Sequence, residues 1–185
     1  MIRRTMLALS LSALALSACA TGPEQALSDD EAAALEIAQI RTSTSGTIFE
    51  TDAASELRNF VSADLTSALR REFADRTAGT GWTMVAEIDT LRLASGTATT
   101  VGADQSSMTG TLKLADPTGR VRASVPVTVT AGEAATSVRG AAVGVLFGRQ
   151  GRYYRTLLDR FAREGRTRLL GADLPGQRIV RRTIN

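Results

Sequence analysis

The sequence predicts an α+β domain: an antiparallel sheet of three to five strands with two amphipathic helices packed on one face. Three observations predict it. Two long segments repeat apolar residues at helical spacing, and two shorter ones alternate apolar and polar residues about an Asp-Pro-Thr-Gly turn. Between residues of about 35 and 170 the elements run strand, long helix, strand, hairpin, helix, an order that places helices against a sheet rather than in a bundle.

A first strand is expected over 34–42, where Leu35 and Ile37 alternate imperfectly with Glu36 and Ala38. Thr51 or Asp52 then offers an N-cap. Leu57, Phe60, Val61, Leu65, Ala68, Leu69 and Phe73 follow at offsets 3, 4, 8, 11, 12 and 16, one apolar stripe on a helix of about 52–76 that Gly79 and Gly81 end. Residues 82–93 read as a strand. Met84, Ala86 and Ile88 share one face, but Leu91 and Leu93 fall on the other, which predicts a bulge near Asp89-Thr90. Residues 108–114 and 121–129 form a hairpin about Asp116-Pro117-Thr118-Gly119. Pro126 has no N–H to give a ladder, so 121–129 is expected at a sheet edge or bulged. Tyr154, Leu157, Leu158, Phe161, Ala162 and Leu169 mark a second amphipathic helix of about 150–170, ended by Gly171. The basic tail, 173–185, offers Ile179, Val180 and Ile184 for a short docked strand.

Composition excludes several chemistries. The 185 residues contain no histidine, the commonest general base and metal ligand, and a single cysteine, Cys19. One thiol permits no intrachain disulfide, no Cys/His zinc site and no CxxC pair. No GxSxG, SxxK, GxxxxGK[ST] or GxGxxG motif is present, so catalytic residues, cofactor and metal are all expected to be absent. Glu87 and Asp89 lie two apart on a strand, where paired carboxylates serve acid–base work or a cation; such a pair is more often a strand's solvent face.

Charge is distributed unevenly along the chain. Residues 24–75 hold 11 acids and 4 bases, whereas residues 149–185 hold 10 arginines and 3 acids. Two complementary helices packed side by side account for this. An arginine face meeting phosphate or lipid headgroups is the sharper alternative. The run Gly140-Ala-Ala-Val-Gly-Val-Leu-Phe-Gly148 has GxxxGxxxG spacing but only nine residues between Arg139 and Arg149, too few to span a bilayer. It reads as a small-residue segment against the core. As a functional site it would offer Val143, Leu146 and Phe147, flanked by Arg149 and Arg152, to a partner or a lipid.

The N-terminus carries the most specific signal. Arg3 and Arg4 form a basic start, Met6–Leu16 is an apolar stretch of 11 residues, and Leu16-Ser17-Ala18-Cys19 follows. This resembles the lipobox of bacterial lipoproteins. An ordinary cleaved signal with a chance cysteine is the plainer alternative. The resemblance implies that Leu16, Ser17 and Ala18 are read by the signal peptidase and that the Cys19 thiol accepts a diacylglyceryl group. Each buried methylene of such chains contributes about 0.8 kcal/mol to anchoring. Ala20 after the cysteine resembles the enterobacterial sorting pattern for the outer membrane.

The chain is thereby divided into a signal peptide (1–18), a polar, acidic, flexible tether (19–33) and one periplasm-facing domain (34–185). The lipobox, the element order and the phrase Leu-x-Leu-x-Asp-x-x-Gly-x-Val at 112–121 are together similar to small bacterial envelope lipoproteins with a two-layer α/β domain, largely of uncharacterised function. That resemblance implies a membrane held through the N-terminal lipid, an envelope protein as partner, no nucleic acid, and a non-catalytic binding or assembly role. A lipid- or glycolipid-binding accessory of a transport system is the second expectation.

Overall fold

The structure is a computed structural model and describes residues 26–94, 105–131 and 146–172. It is α+β, with helices packed on a sheet. Helix α1 (Asp29–Ala34) leads into strand β1 (Ile37–Ser43) and the short strand β2 (Ile48–Phe49). Helices α2 (Asp52–Glu56) and α3 (Arg58–Glu72) and a 3₁₀ turn (Ala74–Arg76) follow. Strands β3 (Trp82–Arg92), β4 (Ser106–Ala115) and β5 (Val121–Ala131) precede helix α4 (Leu146–Leu170).

Among the described residues five strands form one sheet, in the order β1-β3-β4-β5, with β2 continuing the β1 edge beside β3. The sheet is mixed, which corrects the expectation of an antiparallel one. Strands β3, β4 and β5 are antiparallel neighbours, but β1 and β2 both run parallel to β3. The cause is the connection: a helical crossover returns the chain to the end from which it left, so the next strand runs the same way. Helices α3 and α4 pack against each other and on one sheet face, α3 over β1 and α4 over β5 and β4. Phe73, Leu65, Met84, Leu112, Val127 and Phe161 meet in the core between the layers.

The long helix expected over 52–76 is broken at Leu57. The Thr51 hydroxyl caps α2 by accepting from the Ala54 N–H (3.3 Å). Tight three-residue bonds, Leu57 N–H to Ala54 O and Phe60 N–H to Leu57 O, then reset the helix before α3. This rephasing turns Phe60 outward, 59% exposed, although the sequence places it in the stripe. Val61, Leu65, Ala68 and Leu69 stay buried.

The bulge in β3 is where the pattern predicts it. Ile88 pairs with Gly110 and Thr90 with Thr109, so Asp89 is the extra residue and Leu91 returns to the core face. A Cβ on Gly110 would lie 2.3 Å from the Glu87 carbonyl oxygen, so only glycine admits the bulged backbone this close. The edge opposite is interrupted at the same level. The Thr47 hydroxyl, in the turn between β1 and β2, donates to the Ile88 carbonyl at 2.7 Å. Strand β5, with Pro126, lies at the other edge of the sheet, as expected.

Residues 26–33, assigned from sequence to a flexible tether, are folded onto the domain. The Ala26 and Leu27 N–H groups donate to the Arg168 and Leu169 carbonyls, and Leu27 is buried. Ser28 and Glu31 form a capping box that starts α1. Polar composition conceals one anchoring leucine and one cap, which together order the segment.

Candidate functional surface

The best-defined polar cluster joins the helical layer to the turn after α3. Arg166, 1% exposed, sits in the inward stripe of α4, one helical turn from Ala162. Its guanidinium donates to Asp75 Oδ1 and Oδ2 at 2.8 and 2.9 Å and to the Glu72 carbonyl at 3.1 Å. It also lies 5.5 Å from the centre of the Phe73 ring. Burial pushes the Asp75 carboxyl up, but the hydrogen bonds and charge of Arg166, its own backbone N–H and the charge of Arg76 outweigh this and hold it below its ordinary value.

Further along the same interface the Tyr154 hydroxyl donates to Asp64 at 3.0 Å, and Arg71 meets Asp159 at 3.0 Å. Burial, then the hydrogen bond and charge of Asp64, push the Tyr154 hydroxyl well above the ordinary phenol value. Three arginines of α4, Arg160, Arg166 and Arg168, have partners within the domain. Arg160 donates to the Thr130 carbonyl on β5 and Arg168 to Glu164 at 2.7 Å. The ion pair between α3 and α4, Arg71–Asp159, puts the base on the acidic segment, and Arg166–Asp75 joins α4 to the turn after α3.

The other face of the sheet carries the alternate, mostly polar side chains of β3, β4 and β5. Among the described residues no helix packs there. At its centre the Lys113 ammonium donates to Glu87 Oε2 at 2.6 Å, both side chains being part-exposed. Beside them the Thr90 and Thr109 hydroxyls share a hydrogen bond of 2.7 Å. Ser107, Thr111, Ser124, Thr128 and Thr130 continue the row across β4 and β5. Hydroxyls about 4.8 Å apart across strands and about 6.8 Å apart along them form a flat array of donors and acceptors. Such an array suits hydrogen bonding to a polar partner. Asp89 is the extra residue of the bulge and is exposed. Among the described residues no three Asp, Glu, Cys or His side chains cluster as metal ligands.

The residues singled out from sequence fall as follows. Leu16, Ser17, Ala18, Cys19 and Val143 lie outside the described residues, as do the tail strand expected near 179–184 and most of the 140–148 run. Leu146, Phe147, Arg149 and Arg152 belong to the first two turns of α4 by their backbone. The sequence reading missed Arg166–Asp75, although an arginine at an inward position of an apolar stripe is the signal for a buried pair. The hydroxyl-rich face was also missed, although the polar half of the strand alternation is its signal.

Fold and surface define a class: a two-layer α+β domain with one sheet face covered by helices, one hydroxyl-rich face uncovered by the described helices, and an N-terminal segment closed against its last helix. No protein-family model matches the chain, and no curated protein matches it. Among solved structures it is similar to a PelC dodecamer from Paraburkholderia phytofirmans at 15% identity and a TM-score of 0.37, over 69% of this chain and 89% of that one. A variant PelC dodecamer from the same organism matches at 20% identity and a TM-score of 0.34, over 76% and 92% of the two chains. An uncharacterised protein matches at 10% identity and a TM-score of 0.34, over 88% and 95%. Likenesses at this level say nothing of function.

Proposed function

We propose that this chain is a lipid-anchored, non-catalytic binding or assembly component of a bacterial cell envelope, held at the outer membrane with its domain in the periplasm. The observation that carries the reading is Leu16-Ser17-Ala18-Cys19 behind a basic start and an apolar stretch of 11 residues. Cys19 takes the lipid, and Leu16, Ser17 and Ala18 present the bond before it to the peptidase. Two or three acyl chains hold stably where one does not. Among the described residues no helix is long and apolar enough to cross a membrane. The hydroxyl-rich sheet face about Glu87 and Lys113 is the surface offered to an envelope protein.

The second reading, a lipid- or glycolipid-binding accessory, rests on the arginines of 149–182 and the apolar run 140–148. It is weakened by the internal partners of Arg160, Arg166 and Arg168.

Intact-mass analysis of the membrane form tests the anchor. The expected product begins at Cys19 and carries added acyl mass there, and Cys19→Ala leaves the membrane fraction. A product that starts elsewhere, or starts at Cys19 with no acyl mass, overturns the reading. A photocrosslinker at Thr111 or Thr128 tests the surface in intact cells. A discrete adduct with an envelope protein is expected, and none from either position removes the sheet face as the binding site.

A further inference from the structure

The described elements have two distinct ends, and the chain enters the fold at only one of them. At the near end Ala26 and Leu27 bond to Arg168 and Leu169, the last turn of α4. Arg166 reaches Asp75 in the turn after α3, and Arg122, at the start of β5, reaches Glu31 of α1 at 3.1 Å. Strands β1 and β3 begin here, and β4 turns into β5. At the far end the Leu93 N–H donates to the Thr51 hydroxyl and the Ala94 N–H to the Ser106 hydroxyl, beside Ala131 where β5 finishes.

Helix α4 connects the two levels. A Cβ on Gly165 would touch Leu112 and Val127, and Arg160 reaches Thr130, so the helix runs antiparallel to β5 with its first turn at the far end. Its 25 residues extend about 37 Å at 1.5 Å per residue.

The chain between Cys19 and Ala26 is short by comparison. Seven peptide steps span at most about 25 Å when fully extended. With lipid at Cys19, no conformation of this segment lets the far end meet the anchoring bilayer while the near end points away from it. That would need a reach of about 37 Å.

We propose that the domain is held with its near end, around the Ala26–Leu27 docking site and the close of α4, against the lipid surface that anchors it. The far end, with the first turn of α4, is turned into the aqueous space. This rests on lipidation at Cys19. In this orientation Leu146, Phe147, Arg149 and Arg152 begin a helix on the side away from the anchoring membrane.

The test uses the full, acylated protein in vesicles of phosphatidylethanolamine and phosphatidylglycerol that contain headgroup-quencher lipid. Cys19 is capped by its thioether, so an introduced cysteine is the only free thiol for a fluorophore. Thr80→Cys reports the near end and Ser55→Cys the far end; both positions are exposed. Strong quenching at position 80 and at least several-fold weaker quenching at 55 is expected. Equal quenching, or the reverse order, in protein that floats with the vesicles overturns the orientation and leaves the anchor standing. Protein that does not float overturns the anchor and the orientation together.

Discussion

Arg166 shows how one side chain ties three elements. A guanidinium buried in an apolar stripe costs several kcal/mol in lost hydration, and Asp75, the Glu72 carbonyl and the Phe73 ring offset that cost together. Removing one partner is worse than removing both. Asp75→Asn is expected to cost about 3 kcal/mol in urea denaturation, the low end for a broken buried pair because Asn keeps one acceptor. Arg166→Met combined with Asp75→Ala should recover most of it. The same pair gives an acid dependence. The folded Asp75 carboxyl titrates below its unfolded value of 3.8, so its contribution is present above that pH and is lost as pH falls through the lowered folded value. Glu31 and Asp116 are also lowered, the first chiefly by its Ser28 hydrogen bonds and the second chiefly by Thr118. The part due to Asp75 is therefore the difference between wild type and Asp75→Asn, and that difference should shrink below about pH 4. A gap unchanged down to pH 2.5 would show that the pair does not titrate as its geometry requires.

Two elements owe their form to a cap and a dock. Thr51 accepts from Ala54 N–H to start α2 and from Leu93 N–H at the end of β3 (3.2 Å), so one hydroxyl serves helix and sheet. Thr51→Ala should cost about 1–2 kcal/mol, at the upper end for a helix cap, as read by thermal unfolding. The segment of Leu27 and α1 is held by the buried Leu27 and Ala32 side chains, two backbone bonds, the Arg76 hydrogen bond to the Ala33 carbonyl and the Glu31–Arg122 pair. The exposed ion pair contributes little. Leu27→Ala is expected to cost about 2–3 kcal/mol and to open 26–34 to protease while the sheet stays protected. Uniform cleavage across the domain would mean that this segment is part of the main cooperative unit. Helical periodicity and strand alternation made the stripe of α4, the hairpin and the Asp89 bulge legible beforehand. The break at Leu57 was not, because the apolar spacing continues unbroken across a local change in hydrogen bonding. The dock of Leu27 was missed because a lone leucine in an acidic stretch has no period to reveal it.

At the scale of the whole molecule the proposed orientation depends on the shortness of the chain between Cys19 and Ala26. Inserting twenty Gly and Ser residues after Ala20 raises the extended reach to about 95 Å, well beyond the length of the domain. The quenching contrast between labels at positions 80 and 55 should then disappear. If it persists, the near end itself adheres to lipid and the short segment is not what orients the domain.

Several properties are decided by the sequence alone, because they depend on local chemistry and period. These are the α+β class, the hairpin about Asp116–Gly119, and the lack of histidine and of any cysteine pair. The tertiary structure decided the rest. It set β1 parallel to β3, brought Arg166 onto Asp75 across 91 residues, and seated Ala26 and Leu27 on the last turn of α4. The reason is common to all three: pairing between distant segments depends on which surfaces meet when both helices bury their stripes on one sheet face. That choice leaves no periodic mark on either segment.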